Sequence, residues 1–124
     1  KTDKGKYISP SPIELEFSKN TDIEQICIVG TGLPMPIALI TRSELGLSKS
    51  KDELSTSLAI TLKEVCTMFE KHEKLEKVIV MQSDWNVENG LTTPTMKVKR
   101  NSIEKIHRDS YLSWYGQKES IIFE

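Results

Sequence analysis

The chain is short of the features that mark several protein classes. Of its 124 residues, 2 are cysteine and 2 are histidine, too few for the disulfide framework of a small secreted scaffold or for a histidine-rich metal site. Cys27 and Cys66 both fall inside apolar patterns, which points to packed, reduced thiols and to a reducing, cytoplasmic compartment. His72 and His107 are far apart, with no cysteine or carboxylate at metal-ligand spacing, so no zinc centre is expected. Charge of one sign is missing as well. Seventeen Lys and Arg face 18 Asp and Glu, a formal net charge of −1, which leaves no whole-protein field to draw in nucleic acid. Aromatics are 6% of the chain and form no basic, aromatic-rich sheet pattern, so Trp85 and Trp114 read as packing residues and not as RNA-stacking platforms. No apolar run approaches the ~20 residues that a membrane-spanning helix needs, and the first residues do not form a signal peptide.

What is present suffices for one domain over residues 1–124, since a chain of this length buries a core without staples. Ser11-Pro12-Ile13-Glu14 has the order of a helix start, with Ser11 as N-cap, Pro12 at the first helical position and Glu14 completing a capping box. Ile13 and Phe17 share a face of that helix, and Asn20 is placed to close it in a left-handed conformation. The short apolar runs Ile26–Val29 and Pro36–Ile40 read as an antiparallel strand pair, with Gly30 and Gly32 in the turn between them. Ser50-Lys51-Asp52-Glu53 repeats the capping-box pattern and opens the longest helical signal. Its stripe is Leu54, Leu58, Leu62, Val65, Cys66 and Phe69, while Lys63, Glu64, Glu70 and Lys71 lie on the solvated face. Val78–Met81 supplies a third strand, and a polar connection runs from Ser83 to Gly90. Asn101 and Glu104 are expected to cap a last helix carrying Ile103, Ile106, His107, Ser110 and Trp114 on one side, ended by Gly116. Ser120–Phe123 forms a final short strand or apolar tail. Strands and helices mix along the chain with no repeat and no low-complexity linker, so the expected class is α+β: a small mixed sheet flanked by about three helices.

The chemical signal is concentrated in Leu91-Thr92-Thr93-Pro94-Thr95-Met96-Lys97-Val98-Lys99-Arg100-Asn101. Pro94 keeps Thr93 out of the helical region, and Met96 and Val98 alternate with Lys97 and Lys99, so an extended segment projects two ammonium groups from one face. A compact cation on a flexible stem can neutralise charge developing on phosphate or carboxylate oxygens. A solvated basic strand edge is the plainer reading of the same spacing.

The string Thr-Pro-Thr-Met-Lys-Val-Lys-Arg-Asn, preceded by Glu88-Asn89-Gly90-Leu91-Thr92, resembles the last conserved motif of AMP-forming acyl-CoA synthetases of the long-chain fatty-acid type, within the adenylate-forming enzymes. Lys4-Gly5-Lys6-Tyr7-Ile8-Ser9-Pro10-Ser11-Pro12-Ile13-Glu14 is similar to the glycine loop and Ile-Glu helix that open the small C-terminal domain of that family. The Ile28–Ile40 run also fits, and the likeness weakens over the last dozen residues.

The resemblance implies a mobile lid that serves two half-reactions. Lys97 matches the motif lysine that contacts the acid carboxylate and phosphate oxygens as acyl-AMP forms. Gly5 matches the glycine lining the passage for the pantetheine arm of coenzyme A, with Lys4 and Lys6 near the CoA phosphates. Lys99 and Arg100 either assist with phosphate or face solvent. By the same likeness the full-length enzyme uses ATP, CoA and Mg2+ on a fatty acid, and the partner of this domain is its own large N-terminal adenylation domain. The chain begins at Lys1, without Met and within a motif, so a piece of a longer polypeptide is expected, inactive alone, with peripheral membrane association left open. Thr92 departs from the pattern, standing where a second Leu is common. Two other readings remain at this point: a stand-alone interaction module binding a phosphorylated or acidic partner, and an acyl-adenylate ligase whose acceptor is not CoA.

Overall fold

The structure, a computed structural model, describes residues 10–29, 37–68, 77–83, 85–95 and 97–124. The order is α1 (Pro10–Phe17), β1 (Ile23–Val29), β2 (Ile37–Arg42), α2 (Glu44–Leu47), α3 (Lys51–Cys66), β3 (Lys77–Val80), α4 (Arg100–His107), a 3-10 turn (Arg108–Ser110), α5 (Tyr111–Tyr115) and β4 (Ile121–Phe123). The strands form one mixed sheet in the order β1-β2-β3-β4. The β1–β2 pair is antiparallel, as the two apolar runs predicted, with Cys27 opposite Leu39 and a register irregularity between Ile23 and Gln25. The other two pairs are parallel, Leu39 opposite Ile79 and Ile79 opposite Ile122. Parallel neighbours need crossovers, and these supply the helices: α3 lies between β2 and β3, and α4 and α5 lie between β3 and β4.

Both faces of the sheet are covered, so the central strands are apolar on both sides instead of alternating. Ile28, Ala38, Ile40, Val78 and Val80 point to a core completed by Ile13 and Phe17 of α1 and by Leu54, Leu58, Leu62 and Val65 of α3. Cys27, Leu39, Ile79 and Ile122 point to a second core with Trp85, Leu91, Ile103, Tyr111 and Trp114. Each fully buried side chain of this kind contributes roughly 1.5–3 kcal/mol of transfer free energy.

The capping box of α3 is present in full: Ser50 Oγ accepts from the Glu53 N–H, and the Glu53 carboxylate accepts from the Ser50 N–H. Beneath its N-terminal half lies a polar anchor. Asp22 is buried, its Oδ2 accepting from Lys49 Nζ at 2.8 Å and Ser57 Oγ at 2.7 Å, and Asn20 donates to Ser57 Oγ and Thr61 Oγ1. The one-turn α2 had no expectation in the sequence. Ser43 caps it, and Gly46 lets it approach so closely that a Cβ there would sit 2.4 Å from the Asp22 carbonyl oxygen.

Three expectations are corrected. α1 begins at Pro10, which places Ser11 within the helix, and the Glu14 carboxylate is turned to the sheet, accepting from the Ile28 N–H, instead of completing a capping box. α4 begins at Arg100, with Lys99 at the N-cap position and no side-chain cap, so Asn101 and Glu104 do not cap it. The last helix is not continuous either: a 3-10 turn separates α4 from α5, and of the expected stripe Ile103 and Trp114 are buried, joined by Tyr111, while Ile106 is exposed. Gly116 ends α5 as expected, in a right-handed conformation. Phe69, Gly30 and Gly32 lie outside the described residues. Among those described, no helix is long and apolar enough to cross a membrane.

Candidate functional site

The lysine motif folds as a short hairpin on the aromatic side of the sheet. Its approach is fixed by Asn86 and Asn89. Each side-chain oxygen accepts from the backbone N–H of the other, and the Asn86 carbonyl accepts from the N–H groups of Leu91 and Thr92. Gly90 closes this turn at φ +77, a backbone conformation that a side chain would strain. Further back, Gln25 on β1 pins Trp85. Its Nε2 donates to the Trp85 carbonyl at 2.9 Å, and its Oε1 accepts from the Trp85 N–H at 3.1 Å and from Thr41 Oγ1 at 3.0 Å.

Within the hairpin, Thr92 and Val98 form an antiparallel bridge. The Lys99 N–H donates to the Leu91 carbonyl at 2.8 Å and the Thr93 N–H to the Lys97 carbonyl at 2.8 Å. The Lys97 N–H donates to Thr93 Oγ1 at 3.1 Å, and Thr93 Oγ1 lies 2.9 Å from Thr95 Oγ1. Leu91 and Thr92 are buried and Val98 is half-buried against the second core, while Lys97 and Lys99 are exposed. The N–H and carbonyl of Lys97 are therefore both held, and its side chain is exposed. Among the described residues, neither Lys97 nor Lys99 has an ion-pair partner. Two exposed ammonium groups on a fixed backbone can be brought to an anion without breaking an ion pair to any described residue.

Arg100 is placed otherwise. Its guanidinium donates to Glu14 Oε2 at 2.6 Å and to the Ile28 carbonyl at 3.1 Å. Burial pushes its pKa down, but the bond and charge of Glu14 outweigh this and the net shift is upward, so the side chain stays ionised. Lys99, Arg100, Asn101 and Ser102 line an open depression at the start of α4. Gly5, Lys4 and Lys6 lie outside the described residues. The joining of Arg100 to Glu14 was missed in the sequence, because the two are 86 positions apart and neither belongs to an apolar period.

The remaining candidates are structural. Burial pushes the Cys27 thiol up to about 12, with Arg100 opposing, so it is no nucleophile at neutral pH. Cys27 is buried and Cys66 half-buried, and the two are not joined in a disulfide. Tyr111 is raised by burial and by Glu104, whose Oε1 accepts from its hydroxyl at 3.4 Å. Trp85 and Trp114 are buried, and His107 lies 3.4 Å from a Glu124 carboxylate oxygen and 5.7 Å, between ring centres, from Trp114. No group of three His, Cys, Asp or Glu among the described residues could hold a metal ion, so the magnesium expected of the whole enzyme finds no ligand set among them.

The chain is 26% identical to long-chain-fatty-acid–CoA ligase 5 of Rattus norvegicus over 93% of its own length and 20% of that protein. The Mus musculus counterpart is 25% identical with the same coverage, so the chain spans about one fifth of the curated relatives it matches. Two solved structures share the fold. The A-PCP didomain of carboxylic acid reductase from Segniliparus rugosus, in complex with AMP, superposes with a TM-score of 0.77 at 18% identity, over 92% of this chain and 17% of that one. The adenylation domain of a carboxylate reductase from Mycobacterium chelonae superposes at 0.79 and 20% identity, over 94% and 19%. The family model for the AMP-binding enzyme C-terminal domain matches residues 2–119, nearly the whole chain, and the chain belongs to that family of adenylate-forming enzymes.

Proposed function

We propose that this domain is the lid of an AMP-forming ligase that activates a fatty acid as acyl-AMP and passes it to coenzyme A, and that Lys97 acts in the first step. The observation that carries the reading is the hairpin: a backbone fixed by the Thr93 bonds and the Thr92–Val98 bridge presents an exposed ammonium with no partner among the described residues. In adenylation a carboxylate oxygen attacks the α-phosphorus of ATP, the bond to pyrophosphate breaks, and negative charge builds on the phosphoryl and leaving oxygens. A cation delivered there stabilises the transition state more than the ground state. In the second step a thiol attacks the acyl carbon, forms the thioester and releases AMP. A lid that closes on each step keeps water from the mixed anhydride. The fatty-acid substrate and CoA acceptor are supported by the names of the sequence relatives, and Gly5, with Lys4 and Lys6, remains the proposed CoA side. Lys99 is the second phosphate-side cation. Arg100, engaged by Glu14, is assigned to holding the hairpin. The large adenylation domain completes the site, and this chain alone is expected to be inactive.

The test uses the full-length polypeptide carrying this domain. Lys97→Ala should lower ATP–pyrophosphate exchange by ~10²-fold or more, while thioester formation from supplied acyl-adenylate and CoA is unchanged. If exchange survives, Lys97 is a surface residue and a non-catalytic docking role takes its place. If exchange collapses and CoA is not accepted by the wild type, the acceptor is another thiol or amine.

A further inference from the structure

Glu14, Ile28 and Arg100 close a ring at the end of β1. Glu14 Oε2 accepts from the Ile28 N–H at 2.9 Å and from Arg100 at 2.6 Å, and Arg100 Nε donates to the Ile28 carbonyl at 3.1 Å. The Glu14 side chain is 19% exposed and that of Arg100 39%, so the ring is partly shielded and its charge-assisted bonds outweigh those of an open surface pair. Its geometry suits the arginine fork, which serves a carboxylate and a carbonyl at once.

The ring stands where the functional hairpin meets the scaffold. α4 lacks a side-chain cap, so its start is set by the Lys99 N–H bond to Leu91 and by the Arg100 side chain. Arg100 follows Lys97 by three positions, and Lys97 is bonded back to Thr93. Only Val98 and Lys99 separate Arg100 from Lys97, and the Lys99 N–H is bonded to the Leu91 carbonyl, so the place of Arg100 bears on that of Lys97. Among the described residues, Arg100 is the charged side chain of the motif that is bonded to β1. We propose that Glu14 and Arg100 are a positioning pair that sets where the Lys97 hairpin stands on the sheet, and through it the rate of acyl-adenylate formation. This rests on Lys97 being the adenylation lysine. Glu14 also belongs to α1, so the pair joins that helix to the start of α4.

The experiment compares Glu14→Gln, Arg100→Gln and the double variant in the full-length enzyme. Each single change should lower the kcat of ATP–pyrophosphate exchange by about 10-fold, short of the ~10²-fold that a misplacement near 1 Å can cost. The KM for ATP and the thioester rate from supplied acyl-adenylate should stay unchanged, and the double variant should be no worse than either single one. Glu14→Asp keeps the charge and shortens its reach, and should fall between wild type and Glu14→Gln even if the others fold poorly. Loss of both half-reactions in step with thermal stability would mark a merely structural pair and overturn the proposal. So would a loss confined to Arg100→Gln, which would give Arg100 a direct phosphate contact. Lys97→Ala in the same series separates the two claims. If it abolishes exchange while the pair variants do not, positioning is wrong and the lysine reading stands. If exchange survives it, both fall.

Discussion

On one face of the sheet, α1 and α3 pack Ile13, Phe17, Leu54, Leu58, Leu62 and Val65 against the strands. On the other, two short helices, a hairpin and a turn bring Trp85, Leu91, Ile103, Tyr111 and Trp114 to the same strands. The first face rests on one 16-residue helix with a complete capping box, so local propensity, capping and packing all agree. Among the described residues the second has no helix longer than the 8 residues of α4, and that one lacks a side-chain cap. Its order comes from side chains bonding backbone: Gln25 to Trp85 and Arg100 to Ile28 over long stretches of chain, Asn86 to Asn89 within one turn. A regular face can be built by periodicity, whereas a face that presents a lysine in a fixed place is built bond by bond.

The largest effect should come from hollowing each face in turn. Leu58→Ala and Ile103→Ala, both at fully buried positions, should each lower stability by about 2–5 kcal/mol, read from urea unfolding midpoints. Their effects on catalysis should differ. Leu58 lies in the core opposite the one that holds Leu91 and Ile103, so folded Leu58→Ala enzyme should keep most of its exchange rate. Ile103 shares a core with Leu91 and follows Arg100 by one helical turn, so Ile103→Ala should slow exchange as well. Equal exchange rates in the two folded variants would break the contrast between the faces.

That contrast also accounts for what could be read from the sequence. The α+β class, the antiparallel β1–β2 pair, the α3 stripe and its capping box were legible because apolar spacing and cap chemistry act within a few residues. The exposure of Lys97 and Lys99 and the half-burial of Val98 followed from simple alternation. The starts of α1 and α4 were not legible. In both, the residue cast as a capping or phosphate group, Glu14 or Arg100, is drawn instead into a bond across the sheet. No local pattern announces a partner 86 positions away. The break at Arg108–Ser110 was hidden because no glycine or proline marks it and the apolar spacing on either side fits an uninterrupted helix.

A smaller effect should come from the polar anchor under α3. Burial pushes the Asp22 carboxyl up, but the bonds from Lys49 and Ser57 and the Lys49 charge outweigh it and hold the group below its ordinary value. An unfolded Asp titrates near pH 4. With the folded pKa lower, the contribution is fully present above the unfolded value and is lost as pH falls through the folded one. Asp22→Asn should therefore lower neutral-pH stability by about 1–3 kcal/mol and flatten the acid limb of a stability–pH profile. An acid limb as steep as that of wild type would place its origin elsewhere. Exchange activity in the folded variant should not move, because this anchor belongs to the scaffold face.

The smallest effect should come from Thr92, which stands in the hairpin where the resembling family commonly has Leu. It is 1% exposed, and its hydroxyl oxygen is buried with no hydrogen-bond partner among the described residues. A buried hydroxyl left unpaired costs free energy with nothing to offset it. Thr92→Val keeps the branched shape and removes the orphan, so stability should be unchanged or rise by up to ~1 kcal/mol. The Thr92–Val98 bridge is made by backbone and should survive, leaving Lys97 in place and exchange intact. A loss of stability, measured by urea unfolding, would mean that the hydroxyl is bonded after all. A loss of exchange at unchanged stability would mean that the hairpin uses this hydroxyl, and the site would then extend inward from Lys97 to the buried strand of its own hairpin.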